Sequence, residues 1–374
     1  MRAAVRGWCP DLFAPMQSGD GWLVRLKPRL ARLTAVQGRL VAEQATRHGN
    51  GIIELTGRGN LQLRGLTPAS AEAFARFAVH AGLADADPAV ERRRNILLSP
   101  LAGEDACELA RSLERGLASD GALSALPGKF GFAIDGGGPL RLGVAADIVL
   151  HAAAGAWQVA MADAAPRHCT AEQATAAALA LARAWIGSGV PGRPSRGGGY
   201  QDAGQGAGQQ AIGPLPALRA FGIGLPFGQT DASMLDRLCG LSLDHGDGIL
   251  HVTPWRALIL SGVRTEAAGP IREAVAGLVV EPDDPRRLVS ACIGRPGCAS
   301  GSVDARADAQ VLLRLGVRAA SLHVSGCAKG CAHPAPAAIT LVGAGGRYGL
   351  VRAGRAGDTA QAEGLTLAEV ARRL

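Results

Sequence analysis

Lysine and aromatic residues are scarce in this sequence. Only three of its 39 Lys plus Arg residues are lysines, namely Lys27, Lys129 and Lys329, and aromatic residues make up 4% of the chain. Few side chains are therefore available to stack on bases, and no basic run is interleaved with them. The net charge of +7 thus does not indicate a nucleic-acid-binding protein.

The sequence also lacks a segment apolar enough to cross a membrane or to serve as a signal peptide. The longest apolar stretch, near residues 142–165, is interrupted by Asp147, His151 and Asp163. We therefore expect a globular cytoplasmic protein without a membrane partner. In that reducing compartment eight cysteines are not expected to form disulfides, so a tight group of them indicates a metal-binding or catalytic site.

A segment without apolar periodicity divides the chain near its middle. Residues 187–212 are rich in Gly, Gln and Pro, which predicts a flexible linker. The preceding TAEQATAAALALARAWI predicts a helix that begins with a capping box formed by Thr170 and Gln173.

The two halves of the chain contain related sequences. Writing HGNGIIELTGRGNLQLRGL (residues 48–66) above HGDGILHVTPWRALILSGV (residues 245–263) gives an ungapped 19-residue match with eight identities. Each copy predicts two short strands preceded by an Asn-Gly or Asp-Gly turn. A mixed segment follows each copy; GFAID, LRLGVAADIVL and AWQVAMA predict strands in the first, and ASLHVSG, AAITLVG and RYGLVRA in the second. The sequence therefore predicts a duplicated α/β (α+β) fold.

The expected domain boundaries follow from the linker and the repeat. They are residues 10–75 and 213–275 for two half-domains, 85–186 and 283–374 for two α/β segments, and 187–212 for the linker.

Four cysteines near the end of the chain form the strongest chemical pattern. Cys292 and Cys298 are separated by five residues, Cys327 and Cys331 by three. Zinc ligands are usually closer in sequence than the first pair, whereas a [4Fe-4S] cubane takes one thiolate at each of its irons. A zinc site and unliganded buried cysteines remain open alternatives. The other cysteines are scattered and are expected to pack as small apolar residues: Cys9, Cys107, Cys169 and Cys239.

This cysteine pattern, with SGCAKGC followed by the strand AITLVG, resembles the iron–sulfur half of the sulfite and nitrite reductase family. The blocks WLVRL, LTGRGNLQLRG, RRNILLSP and LPGKFGFAI occur in the family's order. The opening RGWCPDLFAPMQSGDGWLVRLKP is similar to the branch of that superfamily that makes precorrin-3B in cobalamin biosynthesis. The resemblance implies ferredoxin-like half-domains related by a pseudo-twofold axis and a [4Fe-4S] site in the second α/β segment.

The resemblance also implies roles for individual residues. The four late cysteines would ligate the cluster, with Cys331 nearest the tetrapyrrole. The residues implied to hold the tetrapyrrole are Arg25, Arg58, Gln62, Arg64, Arg94, Lys129 and Lys329. Taken alone, the alternation around Arg58 and Arg64 would place both on the solvent face of an amphipathic strand, and Arg94 lies in a charge run typical of a solvated surface.

The implied activity is an O2-dependent monooxygenation of precorrin-3A, in which an acetate side chain closes a lactone. The tetrapyrrole would then be the substrate, and a separate reductase would supply electrons. The reductases carry a further lysine where this chain has Gly131, which disfavours the reduction of an inorganic anion. A sirohaem-dependent sulfite or nitrite reductase and a non-enzymatic iron–sulfur or zinc protein remain open alternatives.

A mononuclear non-haem iron is implied as well, but the sequence offers no assignable triad of two histidines and a carboxylate. His48 and His245 recur in both repeats and are expected to stabilise turns. His333 lies two residues after Cys331 and is a candidate proton-transfer group. The Gly-rich GAGGRYG opens no helix, so we expect no dinucleotide-binding fold.

Overall fold

The computed structural model describes residues 10–143, 146–153, 155–161, 164–189 and 210–374. These residues form two compact units, which we call the cysteine unit (residues 16–23 and 283–374) and the large unit (residues 10–15 and 24–282). Most of the predicted linker, and Cys9, lie outside the described residues. Within the described ranges no helix is both long and apolar enough to span a membrane.

The strands, in chain order, are β1 (Met16–Ser18), β2 (Gly21–Leu26), β3 (Arg32–Thr34), β4 (Ile52–Leu55), β5 (Leu61–Leu66), β6 (Ile96–Leu98), β7 (Phe132–Asp135), β8 (Ile148–Ala153), β9 (Ala156–Met161), β10 (Arg167–Cys169), β11 (Gly213–Leu215), β12 (Ala220–Gly224), β13 (Gln229–Asp231), β14 (Ile249–Val252), β15 (Ala257–Ser261), β16 (Val289–Ala291), β17 (Leu322–Ser325), β18 (Ala337–Ala344), β19 (Arg347–Gly354) and β20 (Ala362–Leu365). The α-helices are α1 (Ala35–His48), α2 (Pro68–His80), α3 (Pro88–Arg93), α4 (Glu104–Ser119), α5 (Ala171–Gly187), α6 (Ala232–His245), α7 (Ala268–Ala274), α8 (Ala305–Arg314) and α9 (Leu367–Arg373).

In the large unit, each copy of the repeat gives one strand to the sheet of the other. One sheet runs β2-β5-β4-β13, and its last strand comes from the second copy. The other runs β11-β12-β15-β14-β3, and its last strand comes from the first copy. Because each sheet takes its edge strand from the other copy, neither repeat can complete its sheet alone.

The predicted turns before β4 and β14 are present and alike. Gly51 and Gly248 both have φ of 78°, a left-handed value that glycine adopts without steric cost. The side-chain Oδ1 atoms of Asn50 and Asp247 each accept a hydrogen bond from the amide two residues on, at 3.1 Å in both cases. These Asx turns explain why the repeat begins with Asn-Gly or Asp-Gly.

Helices α1 and α6 pack against each other where the first has a glycine. A methyl group on Gly38 would overlap the sulfur of Cys239, which is fully buried. Cys107 is buried too, so these two cysteines confirm the expected apolar role, whereas Cys169 is partly exposed. The two repeated histidines are the last residues of α1 and α6.

The first α/β segment forms a third sheet in the large unit. Its order is β10-β9-β8-β7-β6; β6, β7 and β8 are parallel, and β9 and β10 are antiparallel to their neighbours. The predicted helix is α5, and its capping box between Thr170 and Gln173 is confirmed. The predicted strand LRLGVAADIVL was wrong in its first part, since residues 140–143 are irregular. There the amide of Leu142 donates to the Asp135 carboxylate at 3.1 Å and not to a neighbouring strand.

The cysteine unit repeats this topology. Its sheet has the order β16-β17-β18-β19-β20, with three parallel strands followed by two antiparallel ones. Helix α8 joins β16 to β17, as α4 joins β6 to β7. β1 forms a short hairpin with residues 21–23 of β2. The strands predicted at ASLHVSG, AAITLVG and RYGLVRA are all present, as β17, β18 and β19.

Candidate functional site

Two of the four late cysteines lie at the carboxyl edge of the cysteine unit's parallel strands. Cys292 directly follows β16, and Cys327 lies two residues after the end of β17. Parallel neighbours end at the same edge, so the two residues are brought together. The amide of Gly326 donates to the Cys292 sulfur at 3.1 Å, and the Cys292 amide donates to the Val324 carbonyl at 3.2 Å.

The first α/β segment has the same scaffold without the thiols. Ser99 directly follows β6, as Cys292 follows β16, and Gly137 stands where the second segment has Cys327. The amide of Gly136 donates to the Ser99 hydroxyl at 3.0 Å, which reproduces the hydrogen bond made to the cysteine sulfur. The two segments therefore share one backbone arrangement and differ in the side chains at these two positions, where only the second segment has cysteines.

Glycines line the loops that carry the cysteines. A methyl group on Gly326 would lie 3.1 Å from the Cα of Gly294, 3.4 Å from the Cα of Gly301 and 3.4 Å from the Cys292 sulfur. Gly294 has φ of 59°, in the left-handed region. Side chains at these positions would fill the cradle that the loop backbones form around the sulfur.

The four thiols are neighbours. Burial raises the pKa of Cys292, and the nearby Cys298 and Cys327 raise that pKa further, against the hydrogen bonds from backbone amides. Burial also raises the pKa of Cys331, although its residue surface is exposed, and the other three cysteines raise the same pKa. Gathering four thiolates here costs electrostatic energy that a bound cationic centre would offset.

Four thiols and amide-lined loops are a donor set that a [4Fe-4S] cubane could use. Thiolates on one zinc lie within about 4 Å of one another, because each Zn–S bond is about 2.3 Å. Among the described residues, no three His, Cys, Asp or Glu side chains approach closely enough to hold one metal ion. A cubane takes one thiolate at each of four irons and accepts backbone N–H groups at its sulfurs, which four cysteines beside a glycine cradle could supply. The same search finds no three-ligand group for a mononuclear iron in the described ranges.

In the large unit, three of the predicted tetrapyrrole-binding residues form one network. Arg25 Nε donates to Gln62 Oε1 at 3.0 Å, and Gln62 Nε2 donates to Glu54 Oε2 at 2.6 Å. Arg64 Nη1 donates to the same carboxylate oxygen at 3.1 Å, and its side chain is 3% exposed. Arg64 is therefore paired with Glu54 inside the protein, and Gln62 orients the half-buried Arg25.

The second copy of the repeat has no counterpart of this basic network. In the repeat alignment the positions of Arg58, Gln62 and Arg64 are occupied by Trp255, Ile259 and Ser261. The position of Glu54 is taken by His251, whose Nε2 lies 3.2 Å from the Ser261 hydroxyl. Burial lowers the pKa of His251 to about 4, so this histidine is uncharged at neutral pH. At these aligned positions, only the first copy has arginines.

Arg94 lies inside the protein, whereas Arg92 in the same charge run is exposed. Its guanidinium donates to both carboxylate oxygens of Glu91, at 2.9 and 3.0 Å, and to Glu114 at 3.0 Å. It also donates to the Lys27 carbonyl at 2.8 Å, and its side chain is 4% exposed. Most of its donors therefore serve internal acceptors.

Lys27 was not among the tetrapyrrole-binding residues predicted from the sequence. Lys27 Nζ donates to the carbonyls of Glu91 and Arg92 at 2.6 and 3.0 Å. Burial lowers the pKa of Lys27 to about 8; the Glu91 charge opposes this shift, while the charges of Arg94 and Arg58 add to it. The scarcity of lysine, together with the position of Lys27 in the matched block WLVRLKP, was the signal that could have identified it.

The remaining predicted binding residues are more accessible. Arg58 and Lys129 are partly exposed in the large unit. Lys329 is exposed in the cysteine unit, where its Nζ lies 3.2 Å from the Ser300 hydroxyl. His333 contacts the fully buried His323 ring, with centroids 5.7 Å apart, and thus lies against β17.

Comparison with known proteins places this architecture in a family. The chain matches the Nitrite/Sulfite reductase ferredoxin-like half domain at residues 14–77 and again at 217–278. It is 33% identical over 388 aligned residues to the precorrin-3B synthase of a Sinorhizobium species, covering 94% of this chain and 83% of that protein. The ferredoxin–nitrite reductase of Leptolyngbya laminosa is 34% identical over 140 residues, which cover 34% of this chain and 27% of that protein.

The Mycobacterium tuberculosis NirA protein shares the fold. Its structure aligns with a TM-score of 0.66 at 16% identity, covering 94% of this chain and 79% of that chain. Together with the two half-domain matches, this confirms the predicted fold class. With one third of its residues identical to a relative along nearly its whole length, the chain belongs to the precorrin-3B synthase family.

Proposed function

We propose that this chain is an oxidoreductase of cobalamin biosynthesis that converts precorrin-3A to precorrin-3B with O2 as oxidant. The observation that carries the proposal is the 33% identity to a precorrin-3B synthase along 94% of the chain. The gathered cysteines and the one-sided basic network support it, because they are the features that a redox enzyme acting on an anionic tetrapyrrole needs.

Substrate binding is assigned to the basic residues of the first repeat and its neighbours. Arg25, Arg58 and Lys129 are partly exposed, so a bound substrate could reach their side chains. Each charge-assisted hydrogen bond contributes about 1.5–3 kcal/mol when water is excluded. Gln62 orients Arg25 directly, and Arg64 acts on Arg25 through Glu54 and Gln62.

Arg94 contributes to the same proposal indirectly. Its guanidinium holds Glu91 and the Lys27 carbonyl, while the Lys27 ammonium binds the carbonyls of Glu91 and Arg92. This arrangement fixes the end of β2 that carries Arg25. We therefore assign Arg94 to the stability of the large unit and not to contact with the substrate.

Cys292, Cys298, Cys327 and Cys331 would hold a [4Fe-4S] cluster. When bound, the cluster supplies electrons one at a time from an external donor. The chain's own contribution is to order the ligands: the Gly326 amide stabilises negative charge on the Cys292 sulfur, and the glycine cradle admits no side chain beside it.

The proposed overall reaction balances with two added electrons and two protons. One oxygen atom of O2 enters the tetrapyrrole, the other leaves as water, and an acetate carboxylate of the substrate closes the lactone. The electron donor is a separate protein or small reductant. O2 also needs a metal or radical partner, and we assign no step to a mononuclear iron because no ligand group in the described ranges fits one.

A sirohaem-dependent sulfite or nitrite reductase is the second candidate. The 34% identity to a ferredoxin–nitrite reductase over a third of the chain favours it. Against it, Gly131 occupies the position of a reductase lysine, and packing does not require glycine there. A methyl group on Gly131 would come no closer than 3.6 Å to any neighbour, namely the Asn95 carbonyl oxygen. A strong sirohaem spectrum in anaerobically purified protein would support this candidate.

Turnover with and without O2 separates these functions. The anaerobically purified protein, reconstituted with iron and sulfide, is incubated with precorrin-3A and a reductant, under 18O2 or under argon. We expect a product that carries one 18O atom only under 18O2. Conversion under argon, or no conversion by cluster-loaded protein under O2, would refute the monooxygenase proposal. A Cys327→Ser variant controls for the cluster.

A further inference from the structure

The loop that carries Cys298 is contacted by a segment from the other end of the chain. In the cysteine unit, the turn of the β1–β2 hairpin lies against this loop, and two donors from the hairpin converge on one acceptor. The Ser18 hydroxyl donates to the Gly297 carbonyl at 2.6 Å, and the Gly19 amide donates to the same carbonyl at 3.1 Å. Ser18 and Gly297 are 279 residues apart in sequence.

The contact is too close for any side chain on Gly19. A methyl group there would collide with the Pro296 carbonyl oxygen and would lie 2.9 Å from the Ala299 amide nitrogen. It would also lie 3.0 Å from the carbonyl carbon of Cys298. Backbone atoms cannot rotate away as a flexible side chain would, so a larger residue at position 19 must displace the loop or the hairpin.

The opposite side of the loop is held as closely. The Cys298 amide donates to the Gly294 carbonyl at 2.7 Å, and the Gly301 amide donates to the Cys298 carbonyl at 3.0 Å. A methyl group on Gly297 would lie 2.5 Å from Cγ1 of Ile293. The Cys298 backbone is thus enclosed between its own turn and the hairpin.

We propose that the β1–β2 hairpin positions Cys298 as a cluster ligand, with Ser18 and Gly19 as the positioning residues. Cys292 and Cys327 need no such support, because each follows a strand of the cysteine unit's sheet. Cys298 lies in an irregular loop, and no β-strand directly precedes it to fix its position. The hairpin replaces that missing constraint. This inference rests on the proposed cluster.

Two variants and two controls test the positioning role. Gly19→Ala forces the hairpin and the loop apart, and Ser18→Ala removes one hydrogen bond from the Gly297 carbonyl. Ser18→Thr keeps the hydroxyl group. Gly269→Ala is the matched glycine control, because a methyl group there meets nothing within 4 Å.

Two readouts are measured on the full chain. The first is the rate at which a chelator removes iron from the reconstituted protein. The second needs no cluster: the apo protein is alkylated with iodoacetamide, and mass spectrometry gives the rate at Cys298 relative to the exposed Cys331. We expect Ser18→Ala to raise both the iron-loss rate and the Cys298 alkylation rate by about threefold to tenfold, as loss of one hydrogen bond allows. Gly19→Ala should raise them further, and the two controls should match the wild type.

The outcomes distinguish this inference from the proposed function. Wild-type protein that takes up no iron and sulfide would refute the cluster, while the alkylation rates would still report on the hairpin. Cluster-loaded wild type with unchanged iron loss and unchanged Cys298 alkylation in both Ser18→Ala and Gly19→Ala would overturn the positioning role. If Gly19→Ala does not fold, Ser18→Ala alone decides.

Discussion

Replacing Arg94 with alanine tests whether this arginine stabilises the fold or binds the substrate. The change leaves the carboxylate of Glu91, a fully buried residue, without its bidentate partner. Breaking a buried ion pair on one side costs about 3–5 kcal/mol. For a chain of this size each kcal/mol lowers the melting temperature by roughly 1.3 °C, so we expect a decrease of about 4–6 °C.

The matched control is Arg92→Ala, two residues away. The Arg92 side chain is 59% exposed, and its nearest carboxylate oxygen, on Asp11, lies 3.9 Å away. Its loss should change the free energy of unfolding by no more than about 0.5 kcal/mol. Melting is followed by circular dichroism on the apo proteins, and tetrapyrrole affinity by fluorescence titration of the folded fraction.

Arg94→Ala is expected to lower the melting temperature while the folded protein keeps tetrapyrrole affinity within about threefold of wild type, a change of under 1 kcal/mol. An unchanged melting temperature combined with a tenfold or greater loss of affinity would refute this reasoning. That result would make Arg94 a direct ligand of the substrate.

Three further outcomes are expected. Arg25→Ala removes one charge-assisted hydrogen bond and should weaken tetrapyrrole binding by about tenfold to 100-fold, with little change in melting temperature. The affinity is measured by titration of the variant, and an unaltered affinity would exclude Arg25 from the site. Burial lowers the pKa of Lys27 from its ordinary 10.5 to about 8, so the penalty for burying the charge is complete below pH 8 and is relieved as pH rises to 10.5. Urea unfolding at pH 7.5 and pH 10 should therefore show wild type gaining up to about 3 kcal/mol relative to Lys27→Met, and parallel pH profiles would contradict the shift. Gly326→Val should prevent cluster assembly, because its side chain would enter the cradle beside Cys292; wild-type absorbance at 400–420 nm after reconstitution would show that the cradle tolerates it.

Local patterns predicted much of this fold because they need only neighbouring residues. The Asn-Gly and Asp-Gly turns before β4 and β14 and the capping box of α5 depend on side chains within three residues of the backbone they bind. The strands β17, β18 and β19 were recognisable as short apolar runs. The cysteine spacing predicted one site, which stays a prediction; the structure places Cys292 and Cys327 after neighbouring parallel strands.

Features that depend on contacts between residues distant in sequence could not be predicted from local patterns. The exchanged strands β3 and β13 have three residues each, too few to show periodicity, and they pair with the other repeat. The charge run at Arg94 looks like a surface until Glu91 and Glu114 are seen around it. No local signal links Ser18 to the Cys298 loop.

The central claim is that Cys292, Cys298, Cys327 and Cys331 together ligate one [4Fe-4S] cluster. Iron and acid-labile sulfide per chain, measured in anaerobically purified wild type and in Cys327→Ser, test it most directly. We expect about four of each in the wild type, with an EPR signal on reduction, and little of either in the variant. One zinc per chain without sulfide, or a wild-type content of iron and sulfide in Cys327→Ser, would contradict the claim.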